Sequence, residues 1–499
     1  MFEGDDTPMT TSRSRFRSAR FLASATALAL MLSSCALFQP ERVAFRSTSL
    51  ETLPPTPLGP GTAAGSPGAA AGPRTVFQPG SSGFAGGKPN YASNDGVTAD
   101  VIRLGTIQPM DGPAAQLGRP LFRATQAYVN DLNARGGING RRVELYLQTA
   151  CFTCDDENKL AAKALVEQKH VFAIVNTYMN TYAFSSALKY LNSVHVPLIE
   201  GWSGVGDENL VWGSAQSPWN VYYTVRNTDA VVVYARWLDA AITKWNAVGK
   251  LPSGCAQHPY WIGEVYLDTA QDQRRTVEFA NVWASFGADH QVKSQQAVAA
   301  EEEAVTRMDS YVSAMKDAGA CAAFSATNAT MVFGMQAAKR QGWIVPWVAK
   351  SAWGRAATDN CGGACQGGFT DNNGWGWPEI STPQMQQYLR VMARYYPDST
   401  NDAQTFGGWI GMMAFEYAAG RLGADLTRRD LMPILTGLHN FETGIGATIN
   451  TSPDDHLGMG ATMMLQICNN RFYRVSNWLS AASRPPSSIT SPCGWGYPA

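Results

Sequence analysis

The chain has 499 residues, a formal net charge of −1 and only 16% charged residues. The length exceeds that of one ordinary domain. Proteins that bind nucleic acids present basic surfaces, so the nearly balanced charge argues against a nucleic-acid partner. Hydrophobic residues make up 45% of the sequence and include 15 tryptophans, enough apolar material for more than one core.

The first 35 residues have the pattern of an export signal. Four arginines between positions 13 and 20 precede the apolar run FLASATALALML, which is too short to span a bilayer as a mature helix. The run leads into LSSC, which ends at Cys35 and resembles the bacterial lipobox, whose cysteine is lipidated after cleavage. The alternative is an ordinary signal peptide cut elsewhere. Because the first eight residues are acidic, Met9 is an alternative start.

Residues 36–94 predict a disordered tether. Gly, Pro, Ala and Ser dominate this segment, as in PPTPLGPGTAAGSPGAAAGPR, and it has no periodic apolar positions from which to build a core. A tether behind a lipidated Cys35 suits an exported receptor, attached to the cell membrane and facing away from the cytoplasm, that must reach a membrane partner.

A strand–helix–strand unit follows the tether. VIRLGTI (101–107) predicts a strand, and the Gly- and Pro-rich QPMDGPAAQLGRP predicts a loop that is not helical. The spacing in LFRATQAYVNDLNARGG predicts a helix that stops at Gly136-Gly137, and RRVELYLQ predicts the next strand. Such a unit belongs in a parallel sheet.

The sequence of this unit resembles the N-terminal segment of the type I periplasmic binding proteins. The resemblance is to the branched-chain amino-acid-binding (Leu/Ile/Val-binding-like) solute receptors of ABC transporters in particular. The shared features are Leu104-Gly105, the loop around Asp111-Gly112 and the turn GGINGR before a strand. The resemblance implies an α/β fold of two lobes, each a mainly parallel sheet flanked by helices, with a ligand cleft between them. Lobe 1 would comprise residues 95–225 and 376–445, and lobe 2 residues 226–375 with a closing segment at 446–499.

The resemblance also implies which residues bind the solute, because the family places its ligand loops just after strands. Loops 176–181 and 200–203 belong to lobe 1, and 268–271, 327–328 and 351–353 to lobe 2. The ligand-binding residues predicted in this way are Thr177, Tyr178, Met179, Asn180, Trp202, Ser203, Gln271, Asn328 and Trp353. Trp409 is added because relatives carry a ligand-facing residue near the start of the helix FGGWIGMMAFEYAAGRLG. Relatives carry small residues where Tyr178, Met179 and Trp202 stand here, which favours a larger, flatter or aromatic solute. Core packing is the alternative for Trp202.

Eight cysteines remain beside Cys35, an even number that suits disulfides in an exported chain. The predicted pairs are Cys151 with Cys154, Cys255 with Cys321, Cys361 with Cys365, and Cys468 with Cys493. Two alternatives stay open, a redox motif at Cys151–Cys154 and a zinc site formed by Cys151, Cys154, Cys361 and Cys365.

Three polar segments have structural interpretations. Glu301 to Glu303 predict the first turn of a helix rather than a metal site, because carboxylates complement the helix dipole there. Asp454, Asp455 and His456 predict a turn. NCGGACQGGFTDNNGWGW (360–377) predicts a surface flap bounded by its own cysteine pair.

Catalytic motifs such as GxSxG, a P-loop or HExxH do not occur in the sequence. The prediction is therefore a receptor without cofactor or metal that is not an enzyme. Its lobes would close on an amino-acid-like, amide or aromatic small molecule and present it to a membrane ABC permease. The alternatives are a ligand-sensing or structural lipoprotein of the same fold without a transporter, and an exported hydrolase or thiol-redox protein.

Overall fold

The computed structural model describes residues 74–78, 88–112, 114–152, 154–178, 184–201, 218–299, 301–350, 361–377, 380–399, 401 and 403–485. Several predicted features lie outside these residues: the export signal with Cys35, and also Met179, Asn180, Trp202, Ser203, Trp353 and Cys493. The side chains of Gln271 and Asn328 lie outside the description as well, although their backbone is described. Among the described helices, none is long and apolar enough to cross a membrane.

The first sheet has six parallel strands in the order β13-β6-β5-β4-β2-β3. Their bounds are β2 (Val101–Gln108), β3 (Arg142–Thr149), β4 (Ala173–Val175), β5 (Leu198–Glu200), β6 (Asn220–Val225) and β13 (Leu457–Met459).

The second sheet has seven strands in the order β15-β14-β11-β10-β9-β7-β8. It is parallel except for β14, which runs antiparallel to both of its neighbours. The bounds are β7 (Trp261–Leu267), β8 (Gln291–Val298), β9 (Ala322–Ser325), β10 (Trp347–Ala349), β11 (Phe369–Asp371), β14 (Ala461–Cys468) and β15 (Arg471–Ser480).

Helices cover both faces of each sheet, as buried parallel strands require. Helices α1 and α9 cover one face of the first sheet and α2 and α3 the other, while α4 and α5 lie opposite α6 and α7 on the second sheet. The described helices are α1 (Ala115–Ala134), α2 (Asp155–Lys163), α3 (Ser185–Ser193), α4 (Asn227–Ala247), α5 (Ala270–Ala284), α6 (Glu301–Asp317), α7 (Asn328–Arg340), α8 (Pro383–Tyr395), α9 (Ala403–Leu422) and α10 (Arg428–Leu435).

Along the described chain the backbone crosses between the two sheets three times. The crossings are at Arg226 after β6, in residues 372–377 after β11, and at Gly460 between β13 and β14. Each sheet is therefore assembled from separated parts of the sequence. This fold class, two helix-flanked and mainly parallel sheets, is the one the sequence predicts.

The prediction of a non-helical loop before Leu121 was wrong, because α1 already begins at Ala115. Gly118 lies in the first turns of α1 and packs against Pro109, so closely that an added Cβ would lie 2.6 Å from the Pro109 carbonyl oxygen. Pro120 lacks an N–H and removes one hydrogen bond near the helix start. The buried apolar face of a 20-residue helix outweighs that single loss.

The prediction of a surface flap in residues 360–377 was also wrong. This segment supplies β11, an interior strand of the second sheet, and Phe369, Asp371 and Asn372 are fully buried. Its polar residues are satisfied internally; for example, the Thr462 hydroxyl donates to Asp371 Oδ2 at 2.6 Å. Composition suggested a surface loop because the hydrogen-bond partners of these residues lie far away in sequence.

The folded body starts earlier than the predicted tether boundary at residue 94. Strand β1 (Thr75–Val76) pairs in parallel with β12 (Phe441–Glu442). Phe77 is only 2% exposed, its ring lies 6.3 Å from that of Phe441, and its carbonyl accepts from Gln384 Nε2 at 2.7 Å. Residues 74–78 are thus attached to the body and do not belong to the predicted tether.

Candidate functional site

The carboxyl ends of the parallel strands in the first sheet lie along one edge. Gln108 ends β2, Asn176 and Thr177 follow β4, and Glu200 ends β5. Ligands of open α/β sheets bind outside the carboxyl ends of the strands, so this edge is the lobe 1 side of the candidate site.

One peptide group at this edge is hydrogen-bonded through both its carbonyl and its N–H. The carbonyl of Asn176 accepts from Gln108 Nε2 and from Thr106 Oγ1. The N–H of the same peptide group, that of Thr177, donates to Glu200 Oε1 at 2.9 Å, and the Thr177 hydroxyl donates to the same oxygen at 2.8 Å. Thr177 is therefore tightly positioned at the end of β4.

Asn176 joins this edge to the helices behind it. Its Nδ2 donates to the Gly408 carbonyl at 2.7 Å, and its Oδ1 accepts from the Gly201 N–H at 3.1 Å. An added Cβ on Gly201 would lie 1.9 Å from the Gly407 carbonyl oxygen, so only glycine fits where β5 meets α9. Asn176 has a φ of 49°, a conformation that asparagine tolerates better than most residues.

Burial sets the charge of Glu200. The side chain is 2% exposed, and desolvation raises the pKa of its carboxyl well above the usual range, against the opposing effect of the Thr177 hydrogen bonds. Burial therefore favours the protonated form of this carboxyl. Among the described residues, neither Oε2 of Glu200 nor Oε1 of Gln108 has a hydrogen-bond partner, and both atoms are buried.

An aromatic pair lies beside this edge. The ring of Tyr178 stacks on that of Phe152 with centroids 5.3 Å apart, and the Tyr178 N–H donates to the Ile107 carbonyl. The sequence predicts Tyr178 as a site residue but misses Phe152. The position of Phe152 in the short loop after β3 could have indicated it.

The second sheet contributes two helix N-termini at its carboxyl edge. Thr269 caps α5 by accepting from the Asp272 N–H at 3.2 Å, and Thr327 caps α7 by accepting from the Thr330 N–H at 3.4 Å. Gln271 and Asn328 therefore lie in the first turns of these helices, next to the strand ends.

A buried ion pair and a buried lysine lie at this second edge. Arg275 donates to Asp272 at 2.6 Å, and Lys350 donates to Asn373 Oδ1 at 3.4 Å. All four residues are at most 9% exposed. Burial raises the pKa of Asp272, and the nearby Arg275 partly offsets that rise.

Trp409 lies in α9, next to Gly408, whose carbonyl accepts from Asn176 at the lobe 1 edge. It is 1% exposed in α9, and its ring packs at 4.7 Å from Tyr128 and 5.2 Å from Tyr388 in edge-on geometry. Such packing is typical of a core residue. The position favours core packing over the predicted ligand contact.

The disulfide predictions are confirmed for three pairs, Cys151–Cys154, Cys255–Cys321 and Cys361–Cys365. Cys468 is also disulfide-bonded, while its predicted partner Cys493 lies outside the described residues. The alternative zinc site required thiolates from Cys151, Cys154, Cys361 and Cys365, and these four cysteines are consumed in bridges.

The acidic segments have the predicted structural roles. Glu303 lies in the first turn of α6 and accepts from the Ala299 N–H at 2.7 Å. Asp455 accepts from the Leu457 N–H in a turn and pairs with Arg226. His456 Nδ1 contacts the Asn220 carbonyl oxygen at 2.7 Å.

A cavity of about 1070 Å³ lies elsewhere, beside the crossings at Arg226 and Gly460. Its walls include Tyr417, Phe441 and Ser480, and the described lining contains none of the predicted ligand-binding residues. This cavity is therefore distinct from the described strand ends, where the buried polar groups lie. We place the candidate site at the strand ends because polar groups orient a bound solute.

Solved structures share this architecture at low sequence identity. A branched-chain amino-acid transporter substrate-binding protein from Streptococcus pneumoniae, solved with isoleucine, has 14% identity and a TM-score of 0.63, covering 76% of this chain and 100% of that chain. A branched-chain amino-acid ABC transporter protein from Thermus thermophilus, solved with valine, has 13% identity and a TM-score of 0.61, covering 77% and 97%. A solute-binding protein from R. palustris, solved with benzoate, has 13% identity and a TM-score of 0.58, covering 78% and 99%.

No curated protein matches this chain in sequence. Residues 101–471, well over half of the chain, match the family described as periplasmic binding protein. Members of this family bind small-molecule solutes outside the cytoplasm, work with ABC transporters, and are receptors rather than enzymes. The chain belongs to the periplasmic binding protein family.

Proposed function

We propose that this protein is a lipid-anchored receptor of an ABC importer that captures an amino-acid-like, amide or aromatic small molecule between its lobes. The observation that carries the proposal is the arrangement of two mainly parallel sheets, joined by three crossings, with buried polar groups at their strand ends. Closure on a ligand requires that the closed state bind it better than the open state, so the solute must contact both lobes.

The proposed contacts come from the strand ends and their loops. On lobe 1, Thr177 and Tyr178 stand at the edge, and Met179, Asn180, Trp202 and Ser203 are assigned to the same site on the family resemblance. On lobe 2, Gln271 and Asn328 begin helices at the edge, and Trp353 is assigned on the resemblance. The Phe152–Tyr178 stack supports a flat or apolar group on the solute.

Binding can be tested on the full chain carrying Cys35→Ser, which prevents lipidation. A thermal-shift screen would use amino acids, amides, aromatic acids and short peptides. A solute at a hundred times its dissociation constant should stabilise the protein by about 2.7 kcal/mol. Small-angle scattering should then show a more compact particle, and Trp202→Ala should weaken binding. Stabilisation without compaction would count against lobe closure.

The anchor and the importer need separate tests. Detergent-phase partitioning should retain the wild-type chain and lose the Cys35→Ala variant, whereas equal partitioning would refute lipidation. Cells lacking the gene should lose uptake of the solute identified in the screen. Unchanged uptake would favour the alternative of a ligand-sensing lipoprotein without a transporter.

A further inference from the structure

A disulfide lies at the lobe 1 edge, next to its aromatic pair. The residue before Cys151 donates through its N–H to the carbonyl of Gln108, the last residue of β2, at 3.2 Å. Phe152 lies between the two cysteines of the Cys151–Cys154 bridge and stacks on Tyr178. The bridge therefore closes the short loop that carries Phe152.

Of the bridges whose two cysteines are both described, this one is the most accessible. Cys151 and Cys154 are half-buried. The remaining described cysteines are at most 4% exposed, namely Cys255, Cys321, Cys361, Cys365 and Cys468. A thiolate must approach a bridge sulfur directly in order to attack it, so access separates this bridge from the others. A buried bridge reacts only after the structure around it has opened locally, which costs free energy.

Helix α2 begins directly after the bridge. Cys154 is its N-cap residue, and within the described helix the Cys154 sulfur makes no capping hydrogen bond. A thiolate at this position is stabilised by the first N–H groups of the helix and by the positive end of its dipole. The carboxylate of Glu157 lies within 4.8 Å of the sulfurs of both cysteines and disfavours either thiolate. The helix N-terminus therefore decides that Cys154 is the better leaving group and that Cys151 is the sulfur attacked.

We propose that the Cys151–Cys154 bridge is a thiol–disulfide exchange site for an exported dithiol reductant, and that opening the bridge releases Phe152 from Tyr178. A thiolate of the reductant attacks Sγ of Cys151, forms a mixed disulfide and expels Cys154 as a thiolate. The second thiol of the reductant then attacks its own sulfur in the mixed disulfide and frees Cys151. Two electrons pass from the dithiol to the bridge, the dithiol becomes a disulfide, and its two protons end on the two cysteines.

Opening the bridge changes the loop because the freed Cys154 sulfur can turn toward the N–H groups of α2. The backbone of Cys151 stays in place, since its N–H and its carbonyl are each hydrogen-bonded to a side chain of α2 at 3.1 Å. Phe152 then loses the closed ring of atoms that fixes it beside Tyr178.

The solute site would respond to this release. Tyr178 is a proposed ligand contact, so losing its aromatic partner should weaken solute binding by about two- to tenfold. This consequence rests on the proposed function. The exchange reaction and the release of Phe152 do not, and both can be measured without a solute.

The first measurement is the order in which the bridges open. The full chain with Cys35→Ser is titrated with dithiothreitol, free thiols are trapped with N-ethylmaleimide, and the labelled positions are read by peptide mass spectrometry. Cys151 and Cys154 should be labelled together, about tenfold or more faster than the buried cysteines. Equal or earlier labelling of a buried pair would overturn the proposal.

The second measurement follows the release of Phe152. The same chain carries 3-fluorotyrosine, and the ¹⁹F resonance of Tyr178 is assigned by its loss in Tyr178→Phe. When the bridge opens, this resonance should move most of the way to its position in Phe152→Leu, and it should return when oxidised dithiothreitol closes the bridge. A resonance that does not move, or a shift that reoxidation does not reverse, would count against the release.

Matched variants separate the bridge from general destabilisation. Cys151→Ser with Cys154→Ser should place the Tyr178 resonance at its reduced position without any dithiol. Cys361→Ser with Cys365→Ser removes another short bridge, at the second sheet, and should leave the resonance unchanged. Should the first double variant fail to fold, the reversible shift in the chain with its native bridges still decides. A shift of equal size in both double variants would show that Tyr178 responds only to lost stability, and the proposal would be wrong.

Discussion

The side-chain amide of Asn373 donates to Oγ1 of Thr224 at 2.8 Å and thereby ties the crossing after β11 to strand β6 of the other sheet. Next to it, Trp375 Nε1 donates to the Tyr223 carbonyl at 3.1 Å. Asn373 also accepts from Lys350 at the second edge. One residue thus links a strand of each sheet at the place where the lobes would pivot.

Removing this link should destabilise the protein and loosen the lobes. Asn373 has a φ of 54°, so Asn373→Gly keeps the backbone conformation while deleting the amide. The loss of unfolding free energy should be about 1–3 kcal/mol, because Thr224 and Lys350 lose a buried partner. Urea unfolding measures the loss and small-angle scattering the lobe spread. An unchanged midpoint and scattering curve would contradict the proposed role.

Glu264 should make stability depend on pH. Burial raises the pKa of this carboxyl from 4.5 to about 8, against the opposing effect of the hydrogen bond from Gln295. Because the folded state holds the proton more tightly than the unfolded state, stability is greatest below about pH 4.5 and falls as pH rises toward 8. The slope for one proton is at most about 1.4 kcal/mol per pH unit.

Glu264→Gln should flatten this fall, as measured by urea unfolding between those pH values. Burial raises the pKa of Glu200 as well, so part of the slope should remain. Glu303→Gln is the control, since hydrogen bonds lower the pKa of that carboxyl and its titration lies below the window. An equal slope in wild type and Glu264→Gln would show that Glu264 is not buried in a neutral form.

The disulfides should differ in their effect on stability. The Cys255–Cys321 bridge closes a loop with a sequence separation of 66, and Cys361–Cys365 one with a separation of 4. Chain-entropy estimates give losses of about 4 kcal/mol and about 2 kcal/mol when each pair is replaced by serine. Denaturant midpoints of the two double variants would test this order, and a larger loss for the short loop would refute the entropic explanation.

Phe77 should hold strand β1 on the body. Its side chain is buried against Phe441, so Phe77→Ala should free strand β1 and expose the backbone at Arg74 and Lys88 to trypsin. Val76→Ala is the control, because Val76 lies on the same strand and is 45% exposed. Mass spectrometry of the first fragments that trypsin releases would show whether the chain is cut at Arg74 and Lys88 in each variant. Equal cleavage in both variants would mean that β1 is held by its backbone pairing alone.

Features set by nearby residues could be predicted from the sequence. The alternation of strands and helices follows from hydrophobic spacing, and the family resemblance follows from the segment around Leu104 and Gly137. Cys151–Cys154 and Cys361–Cys365 pair across a few residues, so their spacing already favoured these bridges. Glu303 begins α6 for a local electrostatic reason.

The segment around Asp371 shows where local inference fails. A polar, glycine-rich stretch suggested a flap, yet it forms an interior strand because partners such as Thr462 satisfy it from a distance. Local inference also gave no sign that Trp409 packs against Tyr128 and Tyr388, which lie far from it in sequence, and its contact with the ligand stays a prediction.

By itself the sequence determined the fold class, the family and the strand ends at which Thr177 and Tyr178 stand. Only the tertiary structure decided what those ends offer a solute. Thr177 hydrogen-bonds to Glu200, and Gln108 hydrogen-bonds to the carbonyl of Asn176. These bonds connect the ends of three strands that are separated along the chain. Hydrogen-bond donors and acceptors at a sheet edge are assigned by which strands become neighbours, and local sequence patterns do not encode that order.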